Sequence, residues 1–581
     1  MQRCAVYHVS SSTFAYPVSK DTLAIRLQAA RDDLKEVNIY FRNLYEHVLP
    51  MTVKKMTKIL WDENCDMYEV HITVPEKRFQ YYFELTGKDS ESIFFTSDGF
   101  LEEVAEKNCY FFPYINDDEI YDLPEKWKGA LIYQILIDRF FDGDSSNNPQ
   151  NVKDIDVLPD RDTYYGGDFR GLTQKLDYIR SLGAELIYLS PVFLSPTYHK
   201  YDTIDYYQVE DIYGGRDELI KLIKAANEKG LGILLDGVFN HASDRHPFFL
   251  DLMEKGKGSK YRDWFCVFSY DEEGRPVYDS FGGVVPSMPR WNICNEEVVE
   301  YLADIACYWT ENLNIAGWRF DVADEVPHSF WKTMRKRLKK INPKIVLIGE
   351  IWNHATPWLE GDEFDSVTNY KLRTYLLELA QNKIDVCKFW QRVGSNLMLY
   401  KTPVWPYLVN LLGSHDTIRL FTEIKDKRKA ELALLTMLCM EGMPLIYYGD
   451  EIGMEGNDDP DNRRAMQWGR NTEFLTKVQN MGELRQSLQP LRCGRMIPIS
   501  TQGGVLCFIR EHDGNQVEII ANYGDEPKKV RITGNIVFKN RVKIQSDGSH
   551  NIDAGGILVK MRYVVFDSKS SIWAVDYDNP G

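Results

Sequence analysis

Four short motifs place polar residues suited to catalysis directly after an apolar stretch. GILLDGVFNH ends at His241, IAGWRFD ends at Asp321, IVLIGE ends at Glu350 and LVNLLGSHD ends at Asp416. In a (β/α)8 barrel, apolar runs of this kind are buried parallel strands, and catalytic side chains follow them at the carboxyl ends of several strands. We therefore expect the carboxyl groups of these motifs to share one pocket.

Carboxyl groups in one pocket can cleave a glycosidic bond. The reaction passes through an oxocarbenium-like transition state and needs a proton donor, a nucleophile and a group that stabilises positive charge. Carboxyl groups can fill each of these roles. Any single acid here could equally be an ordinary solvated side chain at a strand end, but their joint occurrence favours chemistry on a sugar.

The segments between the motifs predict the barrel that positions them. Strand-like runs alternate with amphipathic helical patterns such as RDELIKLIKAANEKG, which is typical of a parallel βα architecture. We expect eight barrel strands, at LIYQILI, ELIYLSP, GILLDGV, IAGWRFD, IVLIGE, FDSVTNY, LVNLLGS and PLIYYGD.

The pattern of the remaining chain predicts three further domains around the barrel. Residues 1–122 carry alternating β-branched and aromatic segments, which indicate an N-terminal β-sandwich. The barrel is expected over residues 123–241 and 296–487, with a small inserted domain at 242–295. That insertion is much longer than a βα loop of about 2 to 6 residues. Residues 488–581 predict a C-terminal β-sandwich.

Composition excludes several classes of function. Lys and Arg total 69 against 86 for Asp and Glu, and the formal net charge of −17 disfavours nucleic acid as a partner. The N-terminus lacks the pattern of a signal peptide and no apolar run reaches the ~20 residues of a membrane span, so we expect a cytoplasmic protein. Ten cysteines without a CxxC pair suggest neither a disulfide framework nor a zinc site.

The motifs closely resemble the conserved regions of the α-amylase family of glycoside hydrolases. The resemblance covers DGVFNH, GWRFD, the Glu350 segment and SHD, in order and spacing across the barrel. MPRWN at residues 288–292 resembles the MPKLN signature of the neopullulanase, cyclomaltodextrinase and maltogenic amylase branch, which also has an extra N-terminal domain. Arg290 and Trp291 depart from the signature, which has Lys and Leu there, and this leaves the local substrate contacts open.

The resemblance implies a role for each acid. Asp321 would be the nucleophile, Glu350 the general acid and base, and Asp416 the group that holds the distorted sugar. We expect the pKa of Glu350 to be raised, while Asp321 stays ionised beside Arg319. Arg319 lies two residues before Asp321 on the same strand, so both side chains point to one face and can form an ion pair.

The resemblance also implies substrate contacts. Tyr201, in the HKYD segment, would stack on a glucose ring, although it could instead pack within its own loop. His241 and His415 would donate to sugar hydroxyls, and the alternative for each is a hydrogen-bonded core histidine. The predicted substrate-binding residues are His199, Tyr201, His241, Arg319, Trp352, His415, Asp459 and Arg463.

A structural calcium ion is expected near the DGDSSNN and GGD segments. Both are rich in the hard oxygen donors that calcium prefers, and the branch often binds calcium here. A polar loop built from Asx-turns is the alternative. The candidate ligands are Asp142, Asp144, Asn147, Asn148, Gly166 and Asp168, and no catalytic cofactor is expected.

The resemblance implies a retaining hydrolase of α-1,4 bonds in cyclodextrins, pullulan and maltooligosaccharides, with possible transglycosylation. The alternatives are an oligo-α-glucosidase acting on α-1,6 or terminal α-1,4 bonds, or a non-catalytic carbohydrate-binding protein with the same barrel. A homodimer is expected, because in this branch the N-terminal domain commonly packs on a partner's barrel. Tyr45 could reach the partner's site or be a plain exposed loop residue.

Overall fold

The computed structural model describes residues 1–47, 50–500, 503–531 and 534–562. The last part of the predicted C-terminal domain, residues 563–581, lies outside the described residues.

Eight parallel strands form a closed barrel at the centre of the chain. Each strand pairs with its neighbours along the chain, the first pairs with the eighth, and a parallel bridge between Thr368 and Val409 closes the ring between the sixth and seventh. The predicted (β/α)8 fold is therefore confirmed, and each predicted run supplies one strand. The strands are Leu131–Ile135, Ala184–Leu189, Gly232–Gly237, Gly317–Phe320, Val346–Gly349, Ser366–Val367, Val409–Leu411 and Met443–Tyr447.

Helices surround the barrel because the strands bury both of their faces. Almost every strand residue is buried, one side facing the barrel interior and the other the helical layer. The helices are Phe169–Gln174, Leu176–Ser181, Gly215–Glu228, Glu296–Asn312, His328–Ile341, Tyr370–Ala380, Val386–Met398, Leu420–Glu423, Lys427–Cys439, Thr472–Ser487 and Gln489–Cys493. Short 3-10 turns follow several strands, including Ile137–Arg139, Ala323–Glu325, Thr356–Leu359, Asp450–Ile452 and Asp461–Arg463.

The N-terminal region is a sandwich of two antiparallel sheets, as predicted. Alternate strand residues face inward and form a separate apolar core. One sheet contains Ala15–Ser19, Thr22–Ala30, Cys65–Thr73 and Thr57–Trp61 in spatial order. The other contains Thr52–Lys55, Leu34–Asn43, Phe79–Gly87, Ser92–Thr96 and Gly99–Leu101, and Tyr110–Phe112 pairs with Phe79–Gly87.

A buried ion pair joins this sandwich to the barrel. Arg26 Nε donates to Glu69 Oε2 at 2.8 Å within the sandwich. Its Nη1 donates to the Tyr400 carbonyl at 2.8 Å, and its Nη2 donates to Thr402 Oγ1 at 2.7 Å. Tyr400 and Thr402 precede the seventh barrel strand, so one fully buried guanidinium ties two regions together.

The segment between the third strand and the helix Glu296–Asn312 lies at the carboxyl ends of the barrel strands. It contains the helix Pro247–Lys255 and two small hairpins, Val267–Tyr270 with Pro276–Tyr278 and Ser280–Phe281 with Val285–Pro289. A further hairpin, Phe193–Leu194 with Asp205–Val209, follows the second strand.

The described C-terminal residues form an antiparallel sheet that packs on the barrel. Its long last strand pairs with three others, and the sheet shares an apolar core with the barrel helices. Its strands are Arg495–Ser500, Val505–His512, Asn515–Asn522, Lys528–Val530, Asn535–Ile544 and His550–Arg562.

Candidate active site

A cavity of about 780 Å³ opens at the carboxyl ends of the barrel strands. The strand ends bring together residues from distant parts of the sequence, because parallel strands all end at the same rim. The predicted site residues that line the cavity are Asp321, Glu350, Asp416, His199, Tyr201, His241, Trp352, His415, Asp459 and Arg463.

Arg319 lies beneath the cavity floor and contacts several acids at once. Its Nη1 is 2.8 Å from Asp321 Oδ1 and 2.9 Å from Asp236 Oδ1, and its Nη2 is 2.8 Å from Glu350 Oε1. The guanidinium fork suits this arrangement because it presents several donors in one plane. Arg319 is not among the residues that line the cavity, and it orients acids from three barrel strands. Its direct contact with a substrate stays a prediction.

Asp236 is a member of this cluster that the sequence analysis did not single out. It lies within the third strand, is fully buried, and accepts hydrogen bonds from the Tyr188 hydroxyl at 2.6 Å and the Tyr201 hydroxyl at 3.0 Å. An acid inside an otherwise apolar strand was the available signal, since a buried charge needs a partner.

Asp321 and Glu350 form a buried pair of acids whose pKa values shift in the same direction. Burial raises the pKa of the Asp321 carboxyl well above its ordinary value, and the nearby Glu350, Asp236 and Asp416 act in the same direction against Arg319. Burial also raises the pKa of Glu350. Both shifts are upward because one guanidinium cannot balance every acid that surrounds Asp321. A raised pKa of Glu350 agrees with the expectation, and that Asp321 is the ionised member of the pair stays a prediction.

Asp416 has the opposite shift. Its Oδ2 lies 3.0 Å from His415 Nε2, and its Oδ1 lies 3.4 Å from Arg463 Nη2. Burial acts to raise the pKa of Asp416, but His415 and Arg463 outweigh it and hold the pKa below its ordinary value. Of the three acids Asp321, Glu350 and Asp416, Asp416 is therefore the one whose pKa shift favours the ionised form.

Tyr201 and His415 form a stacked pair in the cavity wall. Their ring centroids are 5.1 Å apart with an interplanar angle of 4°, and the Tyr201 hydroxyl lies 2.6 Å from His415 Nε2. Gln134 Nε2 lies 2.7 Å from His415 Nδ1. The His415 ring is thus held on both nitrogens, which aligns it beside Asp416.

Two further histidines line the cavity in the neutral form. His241 Nε2 lies 3.2 Å from the Tyr201 carbonyl, and burial lowers the pKa of His241 to about 4. Burial lowers the pKa of His199 to about 3, and its Nδ1 lies 3.1 Å from the Tyr201 amide. Both rings therefore contact the Tyr201 segment as well as the cavity.

Aromatic and charged residues form the rim. Trp352 is 41 % exposed and stacks on Tyr370 with centroids 3.8 Å apart and an interplanar angle of 7°. Arg463 Nη1 lies 3.1 Å from Asp459 Oδ1 and 3.0 Å from the Tyr198 hydroxyl. A flat exposed ring beside fixed polar groups is suited to a sugar, which has apolar faces and a hydroxyl edge.

The candidate calcium residues form a hydrogen-bonded loop. Asn147 Nδ2 donates to Asp168 at 3.2 Å and Asn148 Nδ2 donates to Asp142 at 2.7 Å, while the Oδ1 atoms of both asparagines are buried without a partner. Asp144 instead pairs with Arg170 at 2.7 Å. The described residues contain no group of three or more His, Cys, Asp and Glu arranged for a metal ion. The backbone at Gly166 packs against the Asn148 side chain.

A closed barrel of eight parallel strands with these acids at its mouth has the architecture of a glycoside hydrolase. Residues 134–486 match the alpha amylase catalytic domain, and residues 1–116 match the alpha amylase N-terminal Ig-like domain. The protein belongs to the alpha-amylase family of glycoside hydrolases.

Known relatives extend over nearly the whole chain. A cyclomaltodextrinase of Thermoanaerobacter pseudethanolicus is 34% identical over 553 residues, which cover 94% of this chain and 95% of the relative. Neopullulanase 2 of Thermoactinomyces vulgaris is 37% identical over 538 residues, covering 90% and 92%. A solved cyclomaltodextrinase structure superimposes with a TM-score of 0.88 at 32% identity, covering 96% of this chain and all of the other.

No helix among the described residues is long and apolar enough to cross a membrane. All ten cysteines lie within the described residues, and each is a free thiol.

Proposed function

We propose that this glycoside hydrolase cleaves α-1,4-glucosidic bonds in cyclodextrins, pullulan and maltooligosaccharides with retention of configuration. The similarity to a cyclomaltodextrinase and a neopullulanase supports this substrate class. The observation that carries the proposal is the convergence of Asp321, Glu350 and Asp416 on one cavity.

In the first step, the Asp321 carboxylate attacks the anomeric carbon while the bond to the leaving oxygen breaks. Glu350 gives its proton to that oxygen, so the leaving sugar departs as an alcohol. The first step therefore requires that Asp321 and Glu350 together hold one proton and that this proton lies on Glu350. Asp416, which stays ionised, would bind the distorted sugar and favour the positively charged transition state.

In the second step, Glu350 takes a proton from a water molecule. The resulting oxygen nucleophile attacks the anomeric carbon, breaks the ester bond to Asp321 and restores the carboxylate. If the hydroxyl of a second sugar enters in place of water, the product is a new glycoside. The same residues would thus support transglycosylation.

Substitution of each acid tests these roles. Asp321→Asn and Glu350→Gln should lower kcat on maltotriose by at least ~10⁴-fold, because each removes an essential reacting group. Asp416→Asn should also lower kcat strongly. Its circular dichroism spectrum should match that of the wild type, which would show that the fold is intact. Near-normal turnover in any of the variants would contradict the assigned role, and no turnover by the wild type would favour a binding protein.

Product analysis tests the substrate class. β-Cyclodextrin, pullulan, starch, maltotriose and isomaltose would be compared side by side, with the anomeric form of new reducing ends followed by NMR. We expect α-anomers and faster cleavage of cyclodextrin than of starch. Preference for isomaltose would instead support an oligo-α-glucosidase.

A structural calcium ion is part of the proposal. The buried Oδ1 atoms of Asn147 and Asn148, which lack partners in the described structure, and the carboxylates of Asp142 and Asp168 support it. Bound calcium would tie this loop together through oxygen ligands. Excess Ca²⁺ should raise the Tm of the wild type but not of Asn148→Ala, whereas equal Tm values in Ca²⁺ and in EGTA would favour a plain polar loop.

We also propose a cytoplasmic homodimer. Free thiols suit a reducing compartment, and Tyr45, which is 68% exposed beside Arg78, supports a contact surface on the N-terminal sandwich. Sedimentation velocity of the full chain should give twice the mass of one chain. The mass of a single chain at micromolar concentration would contradict the dimer.

A further inference from the structure

Arg290 connects the inserted segment to the loop that follows the fourth barrel strand. Its Nη1 lies 3.2 Å from Asp279 Oδ2 in the inserted segment and 3.6 Å from Glu325 Oε2 in the loop. Its Nη2 donates to the Glu325 carbonyl at 3.0 Å. One guanidinium therefore holds side chain and backbone of the 3-10 turn Ala323–Glu325.

The backbone around Arg290 is itself held in place. The Arg290 amide donates to the Asp279 carbonyl at 3.1 Å, and the Arg290 carbonyl accepts from the Cys266 amide at 3.0 Å. The preceding Pro289 carbonyl accepts from the Ala242 amide at 3.0 Å. Because its backbone is fixed on both sides, the Arg290 side chain can act as a short tie rather than a mobile surface group.

The loop held by Arg290 begins at a strained residue. Val322 has φ 46° and ψ 43°, the left-handed region that a β-branched residue rarely adopts. Such a conformation is unfavourable and persists only where surrounding contacts hold it. The Val322 amide donates to Glu350 Oε2 at 2.9 Å. The strained residue thus presents its N–H to the carboxyl proposed as the proton donor.

We propose that Arg290 is a positioning residue that holds the Ala323–Glu325 turn, and through it the Val322 amide, so that Glu350 points at the leaving oxygen. This rests on the proposed role of Glu350. Lysine, which the similar MPKLN signature has at this position, carries one flexible ammonium and cannot bind carboxylate and carbonyl through two separate nitrogens. Arg290 can therefore hold the Ala323–Glu325 turn through two nitrogens, which a lysine at this position could not do.

Two substrates with different leaving groups test the inference. Maltotriose needs its leaving oxygen protonated, whereas α-maltosyl fluoride releases fluoride without a proton. In both cases kcat/KM reports the first step. For Arg290→Ala we expect kcat/KM on maltotriose to fall roughly 10- to 100-fold, in line with the cost of small misplacements. On the fluoride, kcat/KM of Arg290→Ala should fall by no more than about threefold. On maltotriose, kcat/KM of Arg290→Lys should lie between the values of the wild type and Arg290→Ala.

A matched control is Arg262→Ala, in the same inserted segment. Among the described residues, the Arg262 side chain forms a solvent-exposed ion pair with Asp263, so kcat/KM on both substrates should match the wild type. An equal fall of kcat/KM on both substrates in Arg290→Ala would overturn the proposal, as would unchanged values on both.

A second variant, Asp279→Asn, weakens the ion pair that holds Arg290 but keeps Arg290 itself. It should shift the ratio of the two kcat/KM values in the same direction as Arg290→Ala. An unchanged ratio would also contradict the proposal.

The pH profile separates positioning from a merely structural role. The Val322 N–H bond favours ionised Glu350, so loosening it should move the basic limb of kcat/KM to higher pH in Arg290→Ala. A lower Tm with an unmoved limb would overturn the inference. Among the described residues, the charged and titratable groups that act on Glu350 include Arg319, Asp321, Asp416, His415 and Tyr370.

Glu350→Gln distinguishes failure of this inference from failure of the proposed function. If Glu350→Gln is inactive on maltotriose but active on the fluoride, while Arg290→Ala matches the wild type, only the Arg290 proposal fails. If Glu350→Gln cleaves maltotriose normally, the role of Glu350 fails and the Arg290 proposal fails with it.

Discussion

Arg319 determines how the acids of the pocket share charge and protons. It binds Asp236, Asp321 and Glu350 directly, at distances from 2.8 to 2.9 Å. Because a buried carboxylate without a partner is very unfavourable, the acids compete for this cation. The outcome is a pair, Asp321 and Glu350, that retains a proton more readily than ordinary carboxyl groups do.

The pH dependence of activity follows from this shared proton. Activity needs Asp321 ionised and Glu350 protonated, so kcat/KM should rise as the first proton leaves the pair and fall as the second leaves. Since burial raises the pKa of both groups, the acid limb should lie above the ordinary carboxyl range of about 4. Initial rates on maltotriose between pH 3 and 9 would measure it, and an acid limb at or below about 4 would contradict the account.

Asp236 should matter although it does not line the cavity. Asp236→Asn leaves Arg319 with fewer carboxylates and weakens two tyrosine hydrogen bonds, so we expect a lower Tm and at least a roughly tenfold lower kcat. Asp244→Asn, an acid of the inserted segment outside this network, is the control and should change neither quantity. Unchanged kcat in Asp236→Asn would show that the cluster does not depend on this acid.

At the scale of elements, apolar runs identified every barrel strand because buried parallel strands are continuously apolar. The sixth run, FDSVTNY, contributes only the strand Ser366–Val367, and the bridge between Thr368 and Val409 closes the ring beside it. Strand ends also located the acids. The stacking of Tyr201 on His415 and the tie at Arg290 could not be predicted, because local patterns do not specify which distant loops meet.

The loop after the fifth strand carries the clearest binding prediction. Trp352 stacks on Tyr370 and leaves 41 % of its surface exposed at the rim. Trp352→Ala should raise KM for maltooligosaccharides by roughly tenfold, since one stacking contact is worth about 1 kcal/mol or more, with kcat changed less. Steady-state kinetics would test this prediction. Trp352→Phe is the control, because it keeps an aromatic ring and its KM should stay close to that of the wild type. A large fall of kcat at unchanged KM would contradict a binding role.

At the scale of the whole molecule, the N-terminal sandwich is attached to the barrel by a buried charge. Arg26→Ala would leave Glu69 buried without its cation, which should lower the free energy of unfolding by about 3–5 kcal/mol. Lys20→Ala, on an exposed pair with Asp117, should change it by less than about 0.5 kcal/mol. Urea titration followed by tryptophan fluorescence measures both, and equal midpoints for Arg26→Ala and the wild type would contradict the claim.

The sign of the pH effect at this contact follows from Glu69. Arg26 and the surrounding hydrogen bonds, working against burial, hold the pKa of Glu69 below its ordinary value. Its contribution to stability is therefore fully present above the unfolded-state pKa and is lost as pH falls through the folded-state pKa. This contact was not predicted from sequence, because Arg26 and Thr402 are hundreds of residues apart.

The central claim is that Asp321 forms a covalent bond to the sugar while Glu350 handles the proton. Mass spectrometry of Glu350→Gln incubated with α-maltosyl fluoride tests it most directly, because fluoride leaves without the acid and the intermediate then lacks its base. We predict a maltosyl adduct on the peptide that contains Asp321. An adduct on any other residue, or no adduct while the fluoride is consumed, would contradict the claim.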